Sequence, residues 1–328
     1  MKKILLLAVM AMFIVCLTSS QNKYIVTADK EPIAVQKLSK EKEFVDKYFK
    51  FYNIADWTNK MQFMIEIKDY SYDIPLFEYK SSKNKVFRGL SSDNFKDKIF
   101  TFEKIEEREV DCPRGICKRT YIIFNCDGQL YEHEFIIEGI DKLRESKSFN
   151  TINNFVYITD IDIAYKLLLN KTIYIISDQW LEEKNNHGVY VFKQKYIPVL
   201  ITKIGFGNSD GPVKIVFKTN NGEEYYRDVI FSGINSSSAP VFGVPFQDFF
   251  SFDNPKDKYP NISNNIWTLI QNGKVKIGMT KQECKLSWGE PKNINTTSGN
   301  FGVHEQWVYS IDSYLYFENG KLTTIQNN

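Results

Sequence analysis

The sequence predicts an α+β protein, dominated by β-structure: two central small β-sheet or barrel-like units, then a C-terminal two-layer module of two helices on a three- or four-stranded antiparallel sheet. Three observations predict it. Aromatic residues are 15% of the 328 residues, with 25 Phe and 19 Tyr, a bias that suits strands. Polar turns carrying glycine separate strand-like apolar runs, as around Gly128 and Gly222. The last fifth, from Ile266 to Gln326, spells out short helices followed by a meander. The length suggests two or three domains. We place a signal peptide at 1–20, an N-terminal helix with the first β unit at 21–159, the second β unit with a linker at 160–258, and the C-terminal module at 259–328.

The N-terminus predicts export. Lys2-Lys3 precedes an apolar stretch, Ile4–Leu17, that is short for a membrane span. Thr18-Ser19-Ser20 supplies small residues for cleavage after Ser20. A competing reading lipidates Cys16, although Val15 is larger than the residue a lipoprotein signal wants before its cysteine. No later stretch is apolar enough to cross a membrane. The expected location is the periplasm or the outer membrane.

Val35–Tyr52 follows helical periodicity, with Val35, Leu38, Phe44, Val45, Tyr48, Phe49 and Tyr52 on its apolar face. The first β unit runs from Lys98 to Gly139 and the second from Lys171 to Gly233. They echo each other: a turn glycine, a tyrosine three residues on, and a second glycine eight residues later (Gly128, Tyr131, Gly139; Gly222, Tyr225, Gly233). Alternating strands with such turns also recur by convergence. Between the units, Asp160–Leu169 opens with acids that suit a helix N-terminus and packs Ala164, Leu167 and Leu168. Gly233–Pro260 reads as a connection, but Phe246, Phe249, Phe250 and Phe252 argue that part of it is docked.

In the module, Gly278 reverses the chain and Thr280 with Glu283 has capping-box spacing. Cys284 and Trp288 share a helix face flanked by Leu286, and Gly289 with Pro291 ends that helix. Lys292–Thr297 extends as a first strand, and Thr296–Gly302 reads as a polar turn region. His304–Ser310 and Tyr314–Phe317 are strands, and Asn319-Gly320 closes a hairpin onto Leu322–Ile325. The run formed by Gly278, Met279, Thr280, Gly289, Pro291, Glu305, Trp307, Tyr309, Tyr314, Phe317, Gly320 and Leu322 resembles the SmpA/OmlA (BamE-like) family of envelope lipoproteins. That family shares its helix-on-sheet shape with the β-lactamase-inhibitor-protein fold. The resemblance covers the C-terminal fifth and implies a protein-binding scaffold rather than an enzyme. The long N-terminal portion is absent from the small lipoproteins of that family.

Cys112 and Cys117 flank Pro-Arg-Gly-Ile at a hairpin mouth, a spacing that lets a disulfide form. Cys126 could compete for that pairing, and Cys284 reads as a buried thiol. The three histidines have no metal spacing, so no metal and no cofactor are expected. Cys126 with His133 is the one nucleophile–base combination, and it lacks an orienting third group. The pairs Glu106-Glu107, Glu182-Glu183 and Glu223-Glu224 are sequence neighbours, which point apart on a strand. Net charge is +2, which gives no electrostatic case for nucleic acid.

The reading is therefore an exported, non-catalytic envelope protein that binds a partner protein through its C-terminal module. Trp307, Tyr309, Tyr314 and Tyr316 are the candidate contacts, about half of which alternation assigns to the core. The alternatives are a glycan- or peptidoglycan-binding protein using the β units, and an envelope hydrolase.

Overall fold

The computed structural model describes residues 26–27, 54–66, 71–79, 89–113, 115–135, 139–145, 152–184, 187–208, 210–235, 245–300 and 302–327. The expected signal peptide with Cys16 and Ser20, and the helix expected at Val35–Tyr52, lie outside them. The fold is β-dominated, with several sheets and a C-terminal four-stranded sheet accompanied by helices. The chain divides into two compact units, each assembled from separate segments.

The first unit comprises Met1–Lys171, Leu200–Lys218 and Tyr226–Phe246. Its six-stranded sheet runs Phe77–Glu78, Gln129–Phe135, Gly115–Cys126, Phe100–Cys112, Gln62–Ile65 and Phe155–Tyr157 in spatial order, every pair antiparallel. The two-residue turn Asp127-Gly128 has both φ angles positive, which suits the right-handed twist of a tight hairpin. One face carries the core. Trp57 stacks on Phe63 at 4.6 Å, and Phe100, Phe102, Phe124 and Phe155 pack around them. Much of the aromatic richness is therefore core packing.

Helix Ile158–Leu168 carries Asp160 in its first turn, two residues inside the helix start. Asp160 is fully buried and accepts from the Ser232 backbone N–H at 3.1 Å and its hydroxyl at 2.8 Å. Asn235 likewise accepts from Ile152 N–H at 2.7 Å and donates to the carbonyls of Ile152 and Phe155. These bonds satisfy buried backbone groups that no ladder reaches. Of the apolar residues expected to pack, Ala164 and Leu168 are buried and Leu167 is half-buried.

The second unit comprises Thr172–Val199, Thr219–Tyr225 and Gln247–Asn328. Gln179–Lys184 and His187–Phe192 form a hairpin with Trp180 buried against Tyr225. Phe249, Phe250 and Phe252 are buried as well. The C-terminal sheet has strands Asn293–Gly299, Gly302–Val308, Ser313–Glu318 and Lys321–Asn327 in sequential order. Its first strand runs through most of the stretch expected to be a turn, because pairing with the second strand continues as far as Gly299↔Gly302.

Helices Asn264–Gln271 and Lys281–Trp288 supply the module's second layer. Thr280 and Glu283 make both bonds of a capping box, and Gly289 ends the helix at φ 84°. The shared core contains Trp267, Ile270, Met279, Cys284, Leu286, Trp307, Leu315, Phe317 and Leu322. The segment Lys195-Tyr196 is pinned to this module. Buried Lys195 donates from Nζ to the Ser287 carbonyl at 2.6 Å, where the last carbonyls of a helix favour a cation. Gln271 Nε2 donates to the Tyr196 carbonyl at 2.9 Å.

Candidate functional site

Strand alternation sorts the candidate residues of the C-terminal sheet onto two faces. Glu305, Trp307 and Tyr309 belong with the helices. Trp307 is 1% exposed, and its indole N–H donates to Glu305 Oε2 at 2.8 Å. Lys281 Nζ bonds Glu305 Oε1 at 2.5 Å, joining helix to sheet. That hydrogen bond, ahead of the opposing effect of burial, lowers the Glu305 pKa. Tyr309 meets Trp288 edge-on at 5.2 Å and donates to the Gly289 carbonyl at 3.1 Å. The Glu-x-Trp-x-Tyr run is thus a clamp between layers. Trp307 is corrected from candidate contact to core residue, because its ring is enclosed.

The opposite face carries Tyr314 and Tyr316, both half-buried between their neighbours. Around Tyr316 a hydrogen-bonded row crosses all four strands. Asn295 Nδ2 donates to Gln306 Oε1 at 2.9 Å, Gln306 Nε2 to Tyr316 Oη at 3.1 Å, and Tyr316 Oη to Gln326 Oε1 at 2.9 Å. The row is uncharged. His304 and Glu318 lie beside it, 3.8 Å apart. Tyr314 donates to the Ile311 carbonyl at 2.6 Å, which fixes its ring near the sheet's end. This face offers flat rings with amide donors and acceptors, a chemistry that suits binding. Asn295, Gln306 and Gln326 were missed by sequence reasoning; only the strand register shows that they share a row with Tyr316.

A second exposed feature is the hairpin strand His187–Phe192. Tyr190 is 62% and Phe192 76% exposed, and residues two apart on a strand point to the same side. Nothing in their local sequence marked these rings as outward-facing.

The remaining candidates are structural. Cys112 and Cys117 are joined in a disulfide, with Cα atoms 6.0 Å apart, at the end of the hairpin Phe100–Cys126. Cys126 is therefore free, and buried. The structure does not bring Cys126 and His133 together. The register places His133 opposite Ile122 and Cys126 opposite Gln129. Burial pushes the Cys126 thiol up to about 11, and His133 Nδ1 is engaged with the Pro75 carbonyl at 2.6 Å. Glu106 is no acid–base partner of Glu107. Burial opposes its ionisation, yet hydrogen bonds from Lys104, Arg108 and Tyr79 outweigh it and bring its pKa to about 2. Glu107 instead accepts from the Ile140 backbone N–H at 2.5 Å.

Among the described residues no cluster of three or more His, Cys, Asp or Glu side chains is placed to hold a metal, and no helix is long and apolar enough to cross a membrane. Compared with known proteins, the chain matches no family model, no curated protein and no solved structure.

Proposed function

We propose that this chain is an exported, non-catalytic protein of the cell envelope, related to the SmpA/OmlA (BamE-like) lipoproteins through its C-terminal module, and that the module captures a partner protein. The observation that carries this reading is the two-sidedness of the four-stranded sheet. One face is sealed by two helices around Trp307, while the other presents Tyr314, Tyr316 and the row Asn295–Gln306–Tyr316–Gln326. Rigid rings and adaptable amides bind at low entropic cost.

The test is cross-linking of the tagged protein in intact envelopes, followed by mass spectrometry. A dominant protein partner cross-linked to residues after Gly278 is expected. Tyr314→Ala combined with Tyr316→Ala should abolish capture while shifting stability by less than about 1 kcal/mol, the usual size of a surface change. Capture that survives both substitutions would remove this face from the reading.

The glycan reading is favoured by one observation, the adjacent exposed rings Tyr190 and Phe192. It predicts retention on insoluble envelope polysaccharide, lost in a Tyr190→Ala, Phe192→Ala double variant. Free elution of the parent protein would count against it.

A further inference from the structure

The two edges of the C-terminal sheet are treated differently. The edge strand Lys321–Asn327 is covered where it begins. Gly278 N–H donates to the Leu322 carbonyl at 2.8 Å, Leu322 N–H donates to the Met279 carbonyl at 2.8 Å, and Thr280 bridges to Lys321. The other edge, Asn293–Gly299, pairs only with Gly302–Val308 among the described residues. All seven of its residues are exposed.

Proteins blunt free edges with charge, proline, a bulge, short length or a covering segment. Asn-Ile-Asn-Thr-Thr-Ser-Gly has no charge and no proline, and its pairing runs unbroken from Asn293↔Val308 to Gly299↔Gly302. One N–H is partly occupied: Ile294 donates to Asn293 Oδ1 at 3.0 Å. Among the described residues no other backbone N–H of this strand is bonded by a side chain.

The strand's own sequence points to what fits it. A two-fold axis demands a self-complementary surface. Antiparallel pairing of this strand with its own copy, centred on Thr296, sets Asn295 opposite Thr297, Ile294 opposite Ser298 and Asn293 opposite Gly299. No like charges meet, and the Thr296–Thr296 pair on the axis is a favourable cross-strand pair. The same pairing extends the outer row, because Asn295 and Thr297 both lie on that face.

We propose that the Asn293–Gly299 edge pairs with the same edge of a second copy, so that two C-terminal modules form one continuous eight-stranded sheet. This interface adjoins the outer face at Asn295 but does not depend on partner capture there.

The experiment is the mass of the purified protein in solution, by light scattering across a wide concentration range. The parent chain is expected to reach twice its monomer mass at high concentration. Thr296→Lys sets two cations against each other across the axis, and Thr296→Asp sets two anions. Each alone is expected to weaken the dimer at least about tenfold, since like charges directly opposite are destabilising. An equal mixture of the two variants is expected to recover dimers, which also shows that both are folded. If Thr296→Lys lowers the melting temperature, the double variants Ile294→Lys, Ser298→Lys and Ile294→Asp, Ser298→Asp replace the pair, because the register sets position 294 opposite position 298. A parent chain that stays monomeric overturns the proposal. So does a dimer that Thr296→Lys, or the Ile294→Lys, Ser298→Lys double variant, leaves intact, because its interface would then lie elsewhere.

Discussion

Replacing Asp228 by asparagine is expected to make the protein more stable at pH 8 and no different at pH 4. Asp228 lies on the strand Glu224–Val229 beneath the loop Gly207–Pro212. Its Oδ2 accepts from Asn208 Nδ2 at 3.3 Å, whereas Oδ1 is sealed from water with no hydrogen-bond partner. The loop presses close: a Cβ on Gly211 would stand 2.6 Å from the Asp228 carbonyl carbon, so only glycine fits there. Burial pushes the Asp228 pKa up to about 6, against the opposing pull of Lys214 and Arg227 and with a small push from Glu66. The folded pKa is thus above that of the unfolded chain, roughly 3.9. The folded state holds the extra proton between those values, so its benefit is complete below about pH 4 and is lost as pH rises through about 6. A shift of about two units corresponds to at most ~3 kcal/mol. Asparagine keeps the shape without the charge. A gain of about 1–3 kcal/mol at pH 8 is expected in urea unfolding, with a flatter pH profile than the parent. Parallel profiles for the two proteins would mean that Asp228 reaches water.

The same residue shows where sequence reasoning stops. Asp228 follows Arg227 in a strand-like run, and nothing local tells a buried carboxylate from a solvated one. Asp160 was legible as an acid in a helix's first turn, but its partner, Ser232, is 72 residues away. The capping box at Thr280–Glu283 and the positive-φ turns at Gly278, Gly289 and Asn319-Gly320 were legible because their causes lie within a few residues. The strand Asn293–Gly299 was only partly legible. Its small polar residues read as a turn, and pairing with Gly302–Val308 overrides that propensity. Alternation grouped Trp307 with Tyr309 and Tyr314 with Tyr316, yet it could not say which group faced the helices. Bonds across strands or to the helix, such as Lys281 to Glu305 and Gln306 to Tyr316, decide it.

Trp307→Ala tests that assignment and carries the largest expected loss. The indole sits among Phe317 at 4.5 Å, the Lys285 ammonium at 5.5 Å from its ring and the Glu305 carboxylate at 2.8 Å from its N–H. Truncation leaves a cavity in a nine-residue core and removes one of the two donors holding Glu305. Buried Trp-to-Ala changes cost about 3–5 kcal/mol. A small helix–sheet layer has little other buried surface with which to absorb that loss. Hydrogen exchange should therefore show loss of protection across Asn264–Gln271 and the four C-terminal strands, while the strands Phe100–Cys112 and Gly115–Cys126 keep theirs. Tyr316→Ala serves as the contrast. It breaks the outer row but opens no core, so it should cost less than about 1 kcal/mol. If the two substitutions cost the same, Trp307 is not what holds the layers together. The sheet's faces would then have to be exchanged, and with them the surface assigned to the partner.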